Sequence, residues 1–277
     1  MKNSALVKVT SLKRILESPS VAEQFKNSLK ENSGAFASSL IELYSGDNYL
    51  QNCEPKAVVM EALKAASLKL PINKNLGFAW IIPRKNHGRL EPNFEIGYKG
   101  YIQLAMRTGQ YLTINADGVP DNFIVKKDWL AGTYQFIEPV DETPSDTMQG
   151  YFAYFKLANG FEKTVYWKID KIKEHAKRYS QSIGSKYSPW TTQFGSMAKK
   201  TLLSYLLRTY GIMSTEMMNV IAQEKPETYE DELNEGDEIP QKQEIISGEV
   251  VGEKPEVKQP DDKKDDSYVE SLFDLEE

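Results

Sequence analysis

Residues 77–109 read GFAWIIPRKNHGRLEPNFEIGYKGYIQLAMRTG and contain the patterns of both strand and helix within one stretch. Two extended segments, GFAWIIP and NFEIGY, flank the polar segment RKNHGRLEP, which predicts a hairpin with a basic loop. The next segment, KGYIQLAMRTG, has the apolar spacing of a short helix, and Gly109 is placed to end it. This stretch therefore predicts a β-hairpin that is followed directly by a helix.

The preceding residues, 1–70, have the apolar spacing of helices. After Pro19, the apolar residues Val21, Phe25 and Leu29 recur on one helical face. A second helix is predicted to begin near Pro55, because proline is favoured in the first turn. The N-terminal part is therefore predicted to be helical.

The residues after Gly109 change from strand patterns to helix patterns. Short apolar segments are joined by turns rich in Gly, Pro, Asn and Asp, which favours antiparallel strands. Helices are then predicted near residues 169–179 and from Ser188 to just before Gly211. This order predicts an α+β fold in which an antiparallel sheet packs on helices. The strand candidates are YLTINA, NFIVKK, TYQFIE, GYFAYFKL and FEKTVYW.

The charge of the chain is divided into two blocks of opposite sign. Residues 224–277 contain 20 acidic and 6 basic residues, a net charge of −14, whereas residues 1–223 contain 20 acidic and 28 basic residues, a net charge of +8. We expect residues 1–223 to form the folded, basic domain. Residues 224–277 hold too few apolar side chains to form a core, so we expect a disordered acidic tail. Its last segment, SYVESLFDLEE, is either a solubilising end or a short docking peptide.

Several classes of protein are disfavoured by what the sequence lacks. Cys53 is the only cysteine, and no apolar run approaches the roughly 20 residues that span a membrane. The N-terminus has no signal-peptide pattern, so we expect a cytoplasmic protein. No GxxxxGK[ST] phosphate loop and no GxSxG motif occurs. His87 and His175 have no neighbouring ligands at metal-binding spacing, so we expect neither a metal nor another cofactor.

Two predicted helices carry polar side chains at intervals of four residues. This spacing places the side chains on one helical face, where bases can contact phosphate groups. The alternative is an ordinary solvated helix face. The first stripe is Lys99, Gln103 and Arg107, and the second is Lys200, Ser204 and Arg208, with Lys199 beside it.

Two further basic groups lie in predicted loops and helix ends, and aromatic residues accompany them. Bases beside exposed rings are typical of surfaces that bind single strands, because the rings stack on nucleobases while the cations hold phosphates. The alternative is that most of the rings belong to the core. The basic residues are Arg84, Lys85 and Arg89 in the hairpin, and Lys177, Arg178 and Lys186 further on; the aromatic candidates are Tyr187 and Trp190.

A second interpretation is a metal-dependent nuclease or nicking accessory that uses Glu95 and Asp117. With Lys99, these carboxylates resemble part of a nuclease site. The interval of four residues between Glu95 and Lys99 differs from the usual Glu-x-Lys pair, however. The plainer interpretation is that both carboxylates belong to ordinary ion pairs.

Three segments together resemble the RecT family of phage and prophage single-strand annealing proteins. They are LKLPINKNLGFAWIIP, FEIGYKGYIQLAMRTGQY and PWTTQFGSMAKKTLLSYLLRTYGIMS, and the likeness covers about residues 55–220. The resemblance implies a protein that binds single-stranded DNA, anneals complementary strands without ATP and assembles as rings or helical filaments. It further implies a curved antiparallel sheet on a helix, similar to the core of the ring-forming annealing protein of eukaryotes.

The resemblance also implies which residues and partners are involved. By position it assigns the basic groove to Lys99, Arg107, Lys199, Lys200 and Arg208. Many relatives carry two basic residues shortly after the AKKT segment, where this chain has Ser204 and Tyr205. The implied partners are single-stranded DNA, the annealed duplex intermediate, further copies of the chain and a 5′-to-3′ exonuclease. A host single-strand-binding protein is a further candidate, through the acidic tail.

Overall fold

A computed structural model describes residues 2–140, 142–180 and 182–223, with side chains from residue 6 to residue 222 within these ranges. The predicted acidic tail, residues 224–277, lies outside the described residues. The helices are α1 (Lys2–Leu16), α2 (Pro19–Leu29), α3 (Ser33–Gly46), α4 (Pro55–Ser67), α5 (Tyr98–Arg107), α6 (Ile169–Tyr179), α7 (Pro189–Thr192), α8 (Phe194–Tyr210) and α9 (Thr215–Gln223). The strands are β1 (Ala79–Asn86), β2 (Arg89–Ile96), β3 (Tyr111–Pro120), β4 (Ile124–Asp128), β5 (Thr133–Ile137), β6 (Met148–Leu157) and β7 (Glu162–Lys168).

The N-terminal helices pack on one another through the faces that the sequence predicts. In α2, Pro19 occupies the first turn and Phe25 is buried, with its ring 5.6 Å from that of Phe36 in α3. In α4, Val58 and Val59 are buried. The prediction of a helical N-terminal part is confirmed.

The β1–β2 hairpin is longer than the sequence predicts. Its strands pair through the polar segment, with Arg84 opposite Glu91 and Asn86 opposite Arg89, so only His87 and Gly88 form the turn. Both turn residues have positive φ, 45° and 82°, as a tight two-residue hairpin turn requires. The prediction of a loop over RKNHGRLEP was wrong, because polar side chains on an exposed hairpin end look like a loop in sequence.

All five strand candidates after Gly109 are confirmed as β3 to β7, and every pairing is antiparallel. Strands β3, β6 and β7 form a three-stranded sheet with β6 in the centre, while β4 and β5 form a separate two-stranded sheet among the described residues. The β4–β5 hairpin packs against the sheet through aromatic rings. The centre of the Phe136 ring in β5 lies 4.8 Å from that of the Phe152 ring in β6, and the centre of the Tyr134 ring lies 5.6 Å from that of the Tyr166 ring in β7.

The predicted long helix after Ser188 is interrupted. Gln193 has φ −143° and ψ 46°, outside the helical region, and it separates the short α7 from α8. The side chain of Ser188 caps α7, and the break turns the ring of Trp190 edge-on to that of Phe194, 5.8 Å away. The prediction of one uninterrupted helix was wrong, because this aromatic contact has no marker in the local sequence.

Helix α8 lies at the centre of the fold. It contacts all three strands of the larger sheet on one side and α5 on another. Its leucines, Leu202, Leu203, Leu206 and Leu207, are fully buried. One continuous apolar cluster joins α8 to the sheet, the β1–β2 hairpin and the N-terminal helices. The described part of the chain is therefore an α+β fold with antiparallel sheets on helices. Within it, no helix has the length and apolar character needed to cross a membrane.

Candidate nucleic-acid interface

Glu95 of β2 contacts two cations, one on its own hairpin and one on α8. Its Oε1 accepts a hydrogen bond from Arg84 Nε of β1 at 3.0 Å, and its Oε2 lies 2.6 Å from Lys200 Nζ of α8. The Glu95 side chain is only 15% exposed. A carboxylate at the end of the hairpin thus fixes the direction in which two predicted site residues point.

The environment keeps Glu95 ionised. Burial raises the pKa of its carboxyl, but the charges of Lys200 and Arg84 and their hydrogen bonds lower it further, so the pKa falls from 4.5 to about 2. A buried carboxylate is tolerated when opposite charges and hydrogen bonds compensate its lost hydration. Near neutral pH, Arg84, Lys200 and Glu95 together therefore carry two positive charges and one negative charge.

Lys199 lies beside the Glu95 group and faces a different partner. Its Nζ is 2.9 Å from Asp117 Oδ1 of β3 and 5.9 Å from the centre of the Tyr98 ring in α5. Burial raises the pKa of Asp117, but the hydrogen bond from Lys199 lowers it further, so the net shift is downward. The Asp117 side chain is 64% exposed, so this pair is accessible to a ligand.

Lys99 follows Tyr98 at the start of α5 and is exposed. We use the name α5–α8 junction for Arg84, Glu95, Lys99, Lys199 and Lys200, together with Asp117. The junction carries four cations and two carboxylates, drawn from β1, β2, β3, α5 and α8. Contacts join Arg84 to Lys200 through Glu95, and join Lys199 to Asp117 and to the Tyr98 ring. Lys99 belongs to this group as the neighbour of Tyr98 in sequence.

The other members of the α5 stripe lie further along the helix. Arg107 is eight residues from Lys99, or about 12 Å along an α-helix. Its guanidinium donates hydrogen bonds to the carbonyl oxygens of Leu68 at 2.7 Å and Lys69 at 3.1 Å, just beyond the end of α4. Gln103 is half-buried, and its Oε1 has no hydrogen-bond partner among the described residues. Arg107 thus links the last turn of α5 to the residues that directly follow α4.

The α8 stripe faces the interior. Ser204 is buried, and its hydroxyl donates to the Tyr101 hydroxyl of α5 at 3.2 Å. Arg208 donates from Nε to Ser204 Oγ at 3.0 Å. Ser204 is therefore a packing residue between two helices.

Of the remaining predicted residues, Lys85 and Arg89 lie on the same hairpin as Arg84, and the others lie on α6, on α7 and in the segment between them. Trp190 is half-buried and packs edge-on to Phe194, whereas Tyr187 is 79% exposed beside Lys186, whose Nζ is 4.9 Å from its ring. DNA contact by this group stays a prediction. The exposed basic residues are Lys85 and Arg89 in the hairpin, Lys177 and Arg178 at the end of α6, and Lys186 in the following loop.

Glu95 and Asp117 are both paired with cations, as the plainer interpretation predicts. Both Glu95 oxygens are occupied by hydrogen-bond donors, which disfavours the nuclease interpretation. His175 is buried against the rings of Trp167 and Tyr179, at 5.5 Å and 4.7 Å. Across the described residues, no three His, Cys, Asp or Glu side chains are grouped so that they could hold a metal ion.

Sequence reasoning missed the roles of Tyr98 and Glu95 in positioning the cations. The alternation along β2 predicts that Glu95 points away from the buried Phe94 and Ile96, toward solvent, so the local sequence gave no signal that a cationic partner encloses this carboxylate. The identity of that partner was not predictable, since Lys200 lies 105 residues away in sequence.

Comparison with known proteins identifies the family. The model of the RecT family matches residues 34–244. A protein of Bacillus subtilis strain 168, YqaK, is 38% identical over 260 residues, covering 93% of this chain and 86% of that protein. Protein RecT of Escherichia coli K12 is 25% identical over 238 residues, covering 80% of this chain and 83% of that protein. The chain belongs to the RecT family.

Proposed function

We propose that the chain binds single-stranded DNA at the α5–α8 junction and pairs complementary strands in phage homologous recombination. Membership of the RecT family supports annealing in recombination. The observation that carries the proposal is the pairing of Arg84 and Lys200 with Glu95, beside Lys199 and close in sequence to the exposed Lys99, on a part of the chain with net charge +8. Cations that neutralise phosphates supply most of the affinity in binding that does not depend on base sequence.

Annealing on this account needs no ATP. Each base-pair step gains about 1.4 kcal/mol from stacking once two strands pair. The protein has only to reduce the repulsion between phosphate backbones and to hold each strand with its base edges accessible. The sequence has no GxxxxGK[ST] loop for a nucleotide, in agreement with such a mechanism. The protein acts as a binding protein that retains the annealed duplex as an intermediate, with no catalytic residue and no cofactor.

Self-association is part of this proposal, as a ring or a helical filament with a curved sheet along its DNA-binding side. Exposed apolar side chains support it. At the turn of the β4–β5 hairpin, Trp129 is 68% exposed and Leu130 is fully exposed. Apolar groups grouped at an exposed turn are typical of interaction surfaces. A second copy of the chain is the partner that we propose.

Two further partners follow from the same proposal. A companion 5′-to-3′ exonuclease would produce the single strands that this protein coats. The acidic tail, through residues 267–277, would contact that exonuclease or a host single-strand-binding protein, because its apolar side chains among acids are typical of short docking segments. The proposed location is the cytoplasm of a bacterial host.

The test uses complementary labelled oligonucleotides, purified protein and Mg²⁺, with no nucleotide added. We expect faster formation of duplex than in protein-free controls and no shortening of either strand. A metal-dependent nuclease would instead shorten the strands, and the shortening would stop when EDTA removes the metal. Duplex formation at the protein-free rate would contradict the proposed function.

A further inference from the structure

An open depression of ≈ 420 Å³ lies beside Lys199, and the function proposed above gives it no ligand of its own. Its walls come from strands β3 and β6 and from the start of α8. The residues that matter for its chemistry are Asp117, Tyr151, Gly195, Ser196 and Lys199.

The first turn of α8 presents hydrogen-bond donors at this depression. The backbone amides of Phe194, Gly195 and Ser196 donate to no described residue, and the Gln193 side chain does not cap them. The first turn also contains no acidic residue. Unpaired amides and the helix dipole make such an end favourable for an anion.

Tyr151 adds a second, independent donor. The residue is only 9% exposed, yet its hydroxyl has no hydrogen-bond partner within the described part of the chain. The hydroxyl lies against the helix end, since a Cβ built on Gly195 would be 3.0 Å from the Tyr151 oxygen. Burial raises the pKa of this hydroxyl, so it remains a donor at neutral pH. The ring is enclosed while the oxygen itself is open to the depression, where a ligand can accept a hydrogen bond from it.

Lys199 and Asp117 complete the arrangement. Lys199 supplies a positive charge at the rim, and its Nζ now contacts the Asp117 carboxylate at 2.9 Å. A carboxylate and a phosphate share negative charge and acceptor oxygens, so each can satisfy the same ammonium group. Asp117 is exposed and is therefore able to leave without opening the core.

We propose that this depression binds a phosphate group of the DNA strand, held by the amides of Gly195 and Ser196, the Tyr151 hydroxyl and Lys199, which releases Asp117. This inference rests on the proposed function and names one contact within it. The phosphate belongs to the strand backbone, or to its 5′ end.

The experiment measures binding of a labelled oligothymidylate to the full chain and to three variants. Tyr151→Phe removes one donor to a charged group, so we expect about tenfold weaker binding. Asp117→Asn removes the competing carboxylate, so we expect binding up to about fivefold tighter. Tyr154→Phe is the matched control: its hydroxyl donates to Glu162 on the opposite face of β6, and binding should equal that of the unchanged chain.

Thermal denaturation accompanies each variant, because a folded Tyr151→Phe protein with weak binding separates a lost contact from a lost fold. Repeating the titration with 5′-phosphorylated and 5′-hydroxyl oligonucleotides distinguishes the two sources. If Tyr151→Phe weakens binding of both oligonucleotides, the bound phosphate belongs to the strand backbone. If it weakens binding of the 5′-phosphorylated oligonucleotide alone, the bound phosphate is the one at the 5′ end.

If the unchanged chain binds DNA and the Tyr151→Phe and Asp117→Asn variants bind it with the same affinity, the phosphate site is wrong and the proposed function stands. If the unchanged chain binds no DNA, both are wrong.

Discussion

Helices α5 and α8 carry polar residues at the same interval of four, yet the two stripes have different surroundings. On α5, Lys99 is exposed at the start of the helix. On α8, Lys200 is held by the buried Glu95, and Ser204 contacts the Tyr101 hydroxyl. The same pattern thus gives an outward face on one helix and an inward face on the other.

The difference arises from how many sides of each helix are covered. Helix α8 packs against the three-stranded sheet and also against α5, so a polar stripe between those contacts is enclosed. Enclosed charges need partners, and Glu95 supplies one for Lys200. Outward residues such as Lys99 remain available to a ligand, whereas inward residues position the surface on which the ligand binds.

The largest expected effect is on the inward stripe. Glu95→Ala leaves the cations of Arg84 and Lys200 without their shared anion, so we expect a loss of roughly 3–5 kcal/mol in the free energy of unfolding. Urea denaturation measures this loss. Glu91→Ala on the same strand is the control, because Glu91 is exposed and its removal should cost less than about 1 kcal/mol. Equal stability of the two variants would mean that the Glu95 group does not hold the hairpin to α8.

The second effect concerns pH. Glu95 has a pKa of about 2 in the folded chain against an ordinary value of 4.5, so its ionised form stabilises the fold. This contribution is complete above pH 4.5 and is lost as the pH falls through 2; for such a shift it amounts to about 3 kcal/mol. The difference in unfolding free energy between the unchanged chain and Glu95→Gln should therefore shrink as the solution is acidified. A difference independent of pH would contradict the ion-pair account.

A third prediction assigns different roles to Arg107 and Lys99, two residues of the same stripe on α5. Arg107→Ala removes two hydrogen bonds to carbonyl groups beyond α4, so we expect a loss of about 2 kcal/mol in stability. Lys99→Ala removes an exposed cation, so stability should change by less than about 0.5 kcal/mol while affinity for single strands falls about tenfold. Denaturation and a binding titration on both variants check this division. The reverse result would place Arg107, and not Lys99, at the DNA.

The smallest expected effect is that of removing residues 224–277. This segment carries a net charge of −14, which competes with phosphates for the basic part of the chain. We expect the shortened chain to anneal naked strands at least as well as the full chain, with equal or slightly tighter binding. The test is a side-by-side annealing assay. Loss of annealing in the shortened chain would show that the acidic segment takes part in pairing itself.

The sequence predicted the elements better than their surroundings. Strands such as β6 alternate apolar and polar residues, and helices such as α4 begin at proline, so local patterns were sufficient for both. Three features depended on contacts between distant residues: the pairing through the β1–β2 polar segment, the break at Gln193 and the link from Glu95 to Lys200. Local spacing contains no information about such partners.

The most direct test of the central claim is the salt dependence of binding to a single strand. If cations of the basic part of the chain, residues 1–223, neutralise about four phosphates per protomer, the logarithm of the affinity should fall with the logarithm of salt concentration with a slope of roughly −3. Lys99→Ala should reduce the magnitude of that slope by about 0.7. A slope near zero for the unchanged chain would contradict binding through the basic surface.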